Sequence, residues 1–396
     1  MERVEVPRER VLAYRVAAQG LDRAPADAAP VAPAPTSPSP DPADPTATDA
    51  LTGPTSGVLG LGVQDTPRGS ARLALAARGV DSEGLVPVWS YRGAPYLHPA
   101  AELPSLASAL WPLDGPDAVA RMVNPPSPEA AAMGVEAYRR TAEAFREVVT
   151  GPMPKGEASA AVTARVPSSL VVWCERCGAR HVAQPLFLQS SLPGGVRLDG
   201  EVPATLVPVG APFPVPEAAR GTAGLAERYL RLLGPARPAE VAAYWGTRPG
   251  VVREVWPEGL VEVTVRGRRR WLPGDRLDAL RGAEPPGPDR VRLLPPGDPL
   301  LQARDRDLVL PDATARKALW RPVGGPGALL SGAEVAGVWR VRAVGRAGGG
   351  AVEVTVSPFA RLSAAARRGV EAEAERVARV RGAGEARVRW EDPSGP

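Results

Sequence analysis

Two cysteines and a histidine near the middle of the chain have the residue types and the spacing of a metal site. Cys174, Cys177 and His181 form a Cys-x2-Cys-x3-His pattern. Thiolate and imidazole groups at such short spacings bind zinc. A closed structural site needs four ligands, and because the sequence has no other cysteine, Glu175 or a water molecule would have to supply the fourth. The pattern leaves two interpretations, a structural zinc ion or two thiols kept reduced in the cytoplasm; no other cofactor is expected.

Arginine carries almost all of the positive charge. Among 396 residues there are 48 basic and 44 acidic ones, and Lys155 and Lys317 are the only lysines. The planar guanidinium matches phosphate geometry, which favours nucleic acid as a partner, although a GC-rich genome also enriches arginine. The densest group surrounds Gly267 and is either a phosphate contact or a solvated hairpin tip. The side chains predicted to contact DNA are Arg68, Arg72, Arg92, His98, Arg248, Arg253, Arg266, Arg268, Arg269 and Arg270.

His98 lies at the end of a short strand-like run and has two interpretations. It contacts DNA or an extruded base, or it packs beside Trp89 and Tyr96. A cysteine–histidine nucleophile is not predicted from Cys177 and His181, because nothing in the sequence marks the oxyanion site that such chemistry uses. The sequence also lacks a phosphate-binding loop and the Rossmann, kinase and hydrolase-elbow signatures.

The region from 225 to 272 has the clearest secondary-structure pattern. Leu225, Tyr229 and Leu233 lie at i, i+4 and i+8, on one face of a helix. Three helices followed by a basic-tipped hairpin is the order of a winged helix, whose third helix meets DNA. The pattern predicts a helix ending near 233, helices over 239–245 and 249–256, and strands over 260–265 and 268–272.

Similar but weaker patterns on either side predict the whole architecture. We expect an α+β protein made of three tandem winged-helix units, followed by short β-like runs that form a small sheet or a small C-terminal β-barrel and by a terminal helix over 364–380. The predicted bounds are 1–115, 125–212 and 218–285 for the three units and 288–396 for the barrel and helix. Segment 24–54, rich in alanine and proline, is predicted to be a disordered insertion.

The chain is expected to be a cytoplasmic monomer. No stretch reaches the roughly 18–20 apolar residues that a membrane span needs, so no membrane partner is expected. Residues 1–19 carry charges throughout and have no signal-peptide core. Tandem wings in one chain make dimerisation unnecessary for DNA binding.

Several segments resemble the winged-helix DNA-binding family that includes the AlkZ-type and YcaQ-type DNA glycosylases. The segments are 92–98 (RGAPYLH), 228–235 (RYLRLLGP), 292–300 (RLLPPGDPL) followed by Asp305-Arg306, and 332–340 (GAEVAGVWR). Their order along the chain carries the resemblance, which covers most of the sequence outside 24–54. It implies three winged helices and a C-terminal β-barrel that form a basic concave surface for duplex DNA.

The same resemblance points to segment 60–65 (GLGVQD) as the place of chemistry. Glycosylase members hold two glutamines, or a glutamine and an aspartate, two residues apart in this segment. Such a pair holds a water against the anomeric carbon while the base departs through an oxocarbenium-like transition state. Here Gln64 matches the second position, whereas Gly62 stands at the first and has no side chain. Asp65 is a further candidate base, and the alternative for Gln64 and Asp65 is capping of the next helix.

The lack of a side chain at Gly62 bears on the choice among three functional hypotheses. It favours a protein that grips double-stranded DNA through wings and recognition helices without the full catalytic pair. The alternative is a glycosylase that excises N7-alkylated purines with a water positioned by Gln64. A protein-interaction module that reuses the fold is the third hypothesis, which the arginine-rich hairpin disfavours.

Overall fold

The computed structural model describes residues 4–23, 57–202, 204–344 and 350–392, which form a mixed α+β fold, as predicted. The predicted insertion 24–54 lies outside the described residues. Within them, no helix combines the length and apolarity that crossing a bilayer requires.

The first part of the chain forms a small antiparallel sheet with short helices around it. The order of strands in this sheet is β2-β4-β3. The elements are β1 (Val4–Glu5), α1 (Arg8–Ala18), β2 (Val63–Gln64), α2 (Ser70–Ala76), β3 (Leu85–Trp89), β4 (Pro95–Pro99) and α3 (Leu103–Ala109).

The second part is mostly helical and carries two separate small sheets. Its long helix buries Tyr138 and Phe145, and the Phe145 ring packs against that of Phe187 on a later helix, with 4.7 Å between the ring centres. The elements are α4 (Gly115–Met122), α5 (Pro128–Met133), α6 (Val135–Val148), β5 (Met153–Pro154), α7 (Lys155–Thr163), β6 (Val171–Cys174), β7 (Ala179–Val182), α8 (Gln184–Ser191), β8 (Val196–Leu198) and β9 (Thr205–Pro208).

The third part has the predicted three helices and hairpin. Its hairpin turns at Arg266 and Gly267, both with positive φ (51° and 70°), which is the backbone that a two-residue hairpin turn requires. The elements are α9 (Thr222–Leu233), α10 (Pro238–Trp245), α11 (Pro249–Glu254), β10 (Leu260–Val265), β11 (Arg268–Pro273) and α12 (Leu277–Arg281).

The start of the chain adds a strand to the sheet of the third part and not to that of the first. Strand β1 pairs in parallel with β10, with Val4 opposite Val263. The Tyr14 hydroxyl of α1 donates to the Arg231 carbonyl of α9 at 2.8 Å. The division into units at the predicted bounds stays a prediction, but residues 4–23 lie with the third of them.

The last part contains an open five-stranded sheet, so the predicted β-barrel is wrong for the described residues. The strand order is β12-β13-β14-β15-β16, with β12 and β16 at its two edges. The elements are β12 (Val291–Leu294), α13 (Arg306–Val309), α14 (Ala313–Leu319), β13 (Gly327–Ser331), β14 (Glu334–Val344), β15 (Ala351–Pro358), α15 (Ala364–Val380) and β16 (Glu385–Trp390).

Helix α15 has the predicted bounds but is not the last element. It is a crossover between β15 and β16, which pair in parallel, and parallel neighbours need such a connection. Its apolar face packs Val370 and Val377 against Leu293 and Val354 of the sheet. The helix therefore covers one sheet face, and the sheet does not close on itself.

A buried charge network joins the N-terminal helix, the third part and the C-terminal part. Arg15 binds both carboxylate oxygens of Asp305, at 2.9 and 2.7 Å, and Arg270 binds Asp305 at 2.8 Å and Glu240 at 3.1 Å. All four side chains are at most 4% exposed. Burial opposes the charge of Arg15, but the Asp305 carboxylate more than offsets it and raises the pKa of Arg15.

A second buried pair fixes α2 to the C-terminal part. Arg78, two residues after α2, donates to both carboxylate oxygens of Asp298 at 2.8 Å. It also donates to Gln19 at 2.8 Å, and Gln19 donates to the Leu232 carbonyl at 3.2 Å. Asp298 and Asp305 thus anchor both ends of segment 298–305.

Replacing Asp305 with asparagine is expected to lower the free energy of unfolding by about 3–5 kcal/mol, because it removes the carboxylate that pairs with the buried Arg15 and leaves the buried Arg270 with Glu240 alone. Urea unfolding followed by circular dichroism measures the change. Glu353→Gln is the control, because Glu353 pairs with the exposed Arg342 on the C-terminal sheet and its removal should change the midpoint far less. Equal losses in the two variants would contradict the importance of the Asp305 network.

Candidate functional site

Gln64 lies at the end of β2, opposite Tyr96 of β4. The buried Tyr96 hydroxyl donates to Oε1 of Gln64 at 3.3 Å, and the Gln64 side chain is half-buried. The backbone of Gly297 closes the other side, because a Cβ at that position would lie 3.6 Å from the Gln64 amide carbon. The amide is therefore held in a defined place but still reaches solvent.

The structure gives a physical reason for the glycine at the first motif position. Gly62 has a φ of +68°, and a Cβ built on it would lie 2.3 Å from Cε1 of His98. The imidazole ring thus fills the space where a side chain at position 62 would begin. No glutamine fits at position 62 unless the His98 ring moves.

His98 is a core residue, so its predicted contact with DNA is wrong. It is 2% exposed and its Nε2 hydrogen-bonds the Ser90 hydroxyl at 3.1 Å. Burial, aided by the positive charge of Arg228, lowers the pKa of His98 to about 3. The ring is neutral at physiological pH, and it packs beside Tyr91 and Tyr96, close to the sequence-based alternative.

Asp65 has the capping role that the sequence offered as its alternative. Its Oδ1 accepts hydrogen bonds from the backbone N–H groups of Gly69 and Ala71, at 2.8 and 3.0 Å. The carboxylate therefore stabilises the start of α2. Gln64 is left as the candidate for holding a water.

Two arginines share one aromatic ring next to Tyr96. The guanidinium carbons of Arg92 and Arg304 lie 5.4 and 5.9 Å from the centre of the Tyr244 ring. Arg92 donates to the Tyr244 carbonyl, and both arginines donate to Oε1 of Gln302, at 3.4 and 3.3 Å. Burial and the charge of Arg92 lower the pKa of Arg304 to about 10.

This arrangement offers a place for an anion. The hydrogen bonds of Arg92 and Arg304 in the described chain go to neutral oxygens, so their mutual repulsion is not offset by a carboxylate. A phosphate would relieve that repulsion and fit the guanidinium geometry. Sequence reasoning found Arg92 but missed Arg304, Tyr96 and Tyr244, which come from distant parts of the chain and carry no local motif.

The basic hairpin of the third part divides into exposed and buried arginines. Arg266, Arg268 and Arg269 are exposed, and Arg269 has a loose ion pair with Glu262 at 3.4 Å. The prediction that Arg270 contacts DNA is wrong, because it is 3% exposed and bound in the Asp305 network. A pocket of about 110 Å³ lies beside the turn of the hairpin. Its lining residues are Val265, Arg266, Arg268, Arg270, Asp307 and Leu308.

The remaining predicted DNA contacts lie on the surface in two places. Arg248 precedes α11 and Arg253 lies in its last turn, both exposed, while the helix buries Val251 and Val252. In the first part, Arg68 donates to the Glu201 carbonyl at 3.0 Å.

Arg72 lies near the carboxylate of that same Glu201, at 3.9 Å. Arg68 and Arg72 therefore contact the loop between β8 and β9, whereas Arg248 and Arg253 are exposed at opposite ends of α11.

The structure brings together the three predicted metal ligands. The ligand atoms of Cys174, Cys177 and His181 all lie within 4.8 Å of one another on the β6–β7 hairpin. A hydrogen bond with His181 lowers the pKa of Cys174 to about 7. This hairpin shares no strand with the sheet that carries Gln64.

Comparison with known proteins identifies the relatives of this fold. The sequence model of a family described as DNA glycosylase AlkZ-like matches residues 61–380. The structure is similar to that of Streptomyces sahachiroi DNA glycosylase AlkZ, with a TM-score of 0.63 and 19% sequence identity over 98% of this chain and 100% of that one. No curated protein matches the sequence.

The family match includes Gln64, His98, Tyr244 and Arg304, as well as the whole third part of the chain. The sequence resemblance and the structural similarity agree. The chain belongs to the AlkZ-like DNA glycosylase family.

Proposed function

We propose that this protein is a DNA glycosylase that binds duplex DNA and hydrolyses the N-glycosidic bond of N7-alkylated purines. The observation that carries the proposal is the Gln64 amide, held by the Tyr96 hydroxyl while still reaching solvent. Membership in the AlkZ-like family supports the same reaction class.

Gln64 would act by placing a water rather than by taking its proton as a strong base. One lone pair of Oε1 accepts from Tyr96, and the second remains for a water hydrogen. Burial raises the pKa of Tyr96 more than the neighbouring arginines lower it, so the hydroxyl stays a donor. The geometry of the amide is thus fixed before DNA arrives.

An N7-alkylated purine suits a weakly activated water because it already carries a positive charge. The bond between C1′ and N9 breaks with its electron pair going to the base, which leaves neutral. The water oxygen bonds to C1′, and its proton goes to solvent. The sugar passes through an oxocarbenium-like state, which needs placement of the water more than a strong nucleophile.

Arg92 and Arg304 would hold a DNA phosphate beside this centre. Two cations near a developing oxocarbenium ion would oppose its charge, whereas a phosphate between them and the sugar offsets that effect. Their shared position on Tyr244 makes the pair a clamp for one phosphate. The exposed Arg266, Arg268 and Arg269 would hold the DNA backbone elsewhere.

A second candidate function is DNA binding without excision, and the Gly62–His98 contact favours it. A neutral, buried imidazole occupies the space of the first glutamine, so only one amide of the pair remains. The surface arginines would still bind the duplex through its phosphates.

A single-turnover assay separates the two functions. The protein is mixed in excess with a duplex that carries one N7-methylguanine, and abasic sites are scored over time. We expect base release, and we expect Gln64→Ala to lower its rate about 100-fold or more through loss of water placement. Gln184→Ala, an exposed glutamine on α8, is the control and should leave the rate unchanged. Absence of release from protein that still retards the duplex on a gel would support the second function instead.

Removing the exposed hairpin arginines should weaken DNA binding uniformly across sequences. For Arg268→Ala with Arg269→Ala, the slope of log affinity against log salt should fall by roughly 2, because two phosphate contacts are lost. Fluorescence anisotropy at several salt concentrations measures the slope. Arg140→Ala with Arg165→Ala removes the same charge from the second part of the chain and should have little effect. Equal changes in both double variants would show that only net charge matters.

The contact between Gly62 and His98 can be tested by stability. Gly62→Ala should destabilise the protein by more than the roughly 1–2 kcal/mol that a left-handed backbone alone costs, because the new methyl meets the imidazole. Gly69→Ala is the matched control, since Gly69 has a φ of +88° but nothing within 4 Å of its Cβ position. Thermal unfolding compares the two variants. If they lose the same stability, the imidazole does not block position 62.

A further inference from the structure

We propose that Cys174, Cys177 and His181 form a zinc site whose fourth ligand is a water molecule. Two thiolates and one imidazole are ligands that zinc prefers, and their charges balance those of the ion. Their ligand atoms lie within 4.8 Å of one another, close enough for one ion to bind all three. The site is independent of the proposed excision, because none of the three residues belongs to the surroundings of Gln64.

The turn between the cysteines brings both sulfur atoms to one side. The backbone N–H groups of Cys177 and Gly178 both donate to the Cys174 carbonyl, at 3.1 and 2.9 Å. Gly178 has a φ of +61°, a conformation that glycine adopts without strain. The chain thus reverses within four residues and places the two cysteines next to each other at the tip of the β6–β7 hairpin.

The orientation of His181 is already that of a metal ligand. Its Nδ1 lies 2.8 Å from the Val182 carbonyl oxygen, which only accepts, so Nδ1 carries the hydrogen. Nε2 is then the ring nitrogen that remains to bind an ion. Histidines that bind metals commonly donate their other N–H to a carbonyl in this way, which fixes the tautomer and the ring.

The hairpin has a structural use for such an ion. Strands β6 and β7 form a two-stranded sheet whose four residue pairs run from Val171–Val182 to Cys174–Ala179. Val182 is buried at its base, whereas residues 175–180 are exposed. Isolated two-stranded hairpins are marginally stable in water. An ion bound across the tip would close the end that the core does not hold.

The described chain supplies three ligands rather than four. The cluster contains no carboxylate, so Glu175, adjacent to Cys174, is not part of it. Cys177 is exposed, so solvent reaches the open side of the site. A water in the fourth position completes the tetrahedron.

Metal analysis of the full-length protein tests the site directly. Protein purified under reducing conditions from zinc-supplemented cells is measured by inductively coupled plasma mass spectrometry. We expect about one zinc per chain, and loss of most of it in Cys177→Ser and in His181→Asn. Glu175→Gln is the control and should keep the metal. Metal-free wild-type protein that also fails to take up added zinc would overturn the proposal, as would full zinc content in Cys177→Ser.

Cobalt substitution gives a second readout that does not depend on folding of the variants. Adding Co²⁺ to the reduced, zinc-free wild-type chain should produce intense visible bands of a tetrahedral ion and near-ultraviolet charge-transfer bands from thiolate to cobalt. Both should disappear when zinc is added. A spectrum typical of octahedral, oxygen-only coordination would reject the cluster as the site. Recovery of the two cysteines as a disulfide that resists reduction would reject it as well.

Discussion

The buried carboxylate of Asp305 is the constraint on which the arrangement of this chain depends. It accepts from Arg15 of α1 and from Arg270 of β11, and Glu240 of α10 completes the set. A buried ion costs several kcal/mol unless it is paired, so none of these groups tolerates the loss of its partners. Parts of the chain more than 200 residues apart are therefore held in one relative position. The apolar cores alone would let these parts of the chain shift relative to one another, since apolar contacts are not directional.

The same constraint builds the candidate site. Segment 298–305 is fixed at one end by Asp298 with Arg78 and at the other by Asp305 with Arg15. Between these anchors it carries Gln302 and Arg304 to the Tyr244 ring. The buried ion pairs therefore lie outside the candidate site, yet they determine the positions of Arg92 and Arg304 within it. The proposed phosphate clamp of Arg92 and Arg304 needs such rigid support, because small displacements of a guanidinium group weaken its bidentate hydrogen bonds to a phosphate.

Sequence patterns predicted the elements whose form depends on neighbouring residues. They failed for residues and strands whose positions depend on partners far away in the chain. The helices and hairpin of the third part and the bounds of α15 follow from periodicity and turn residues, whereas Gln64 is a candidate through the resemblance of segment 60–65. Arg268, Arg269 and Arg270 look alike in sequence, but only Arg270 points to a carboxylate 35 residues away. The open C-terminal sheet and the parallel pairing of β1 with β10 arise from long-range strand choice, for which short apolar runs carry no information.

The Gly62–His98 contact sets the limit on what chemistry this site supports. Burial keeps the imidazole neutral, so it supplies neither a charge nor an exposed base, and it leaves Gln64 as one uncharged amide. An amide places a water but barely raises its nucleophilicity, so most of the barrier must be lowered by the leaving group. Cationic, N7-alkylated purines meet that demand, whereas an unmodified purine would need protonation by an acid. Among the groups around Gln64, burial raises the pKa of Tyr96 and the pKa of Arg304 is about 10, so neither gives up a proton at neutral pH. If the proposed excision takes place at this site, its substrate must therefore be a base that already carries a positive charge.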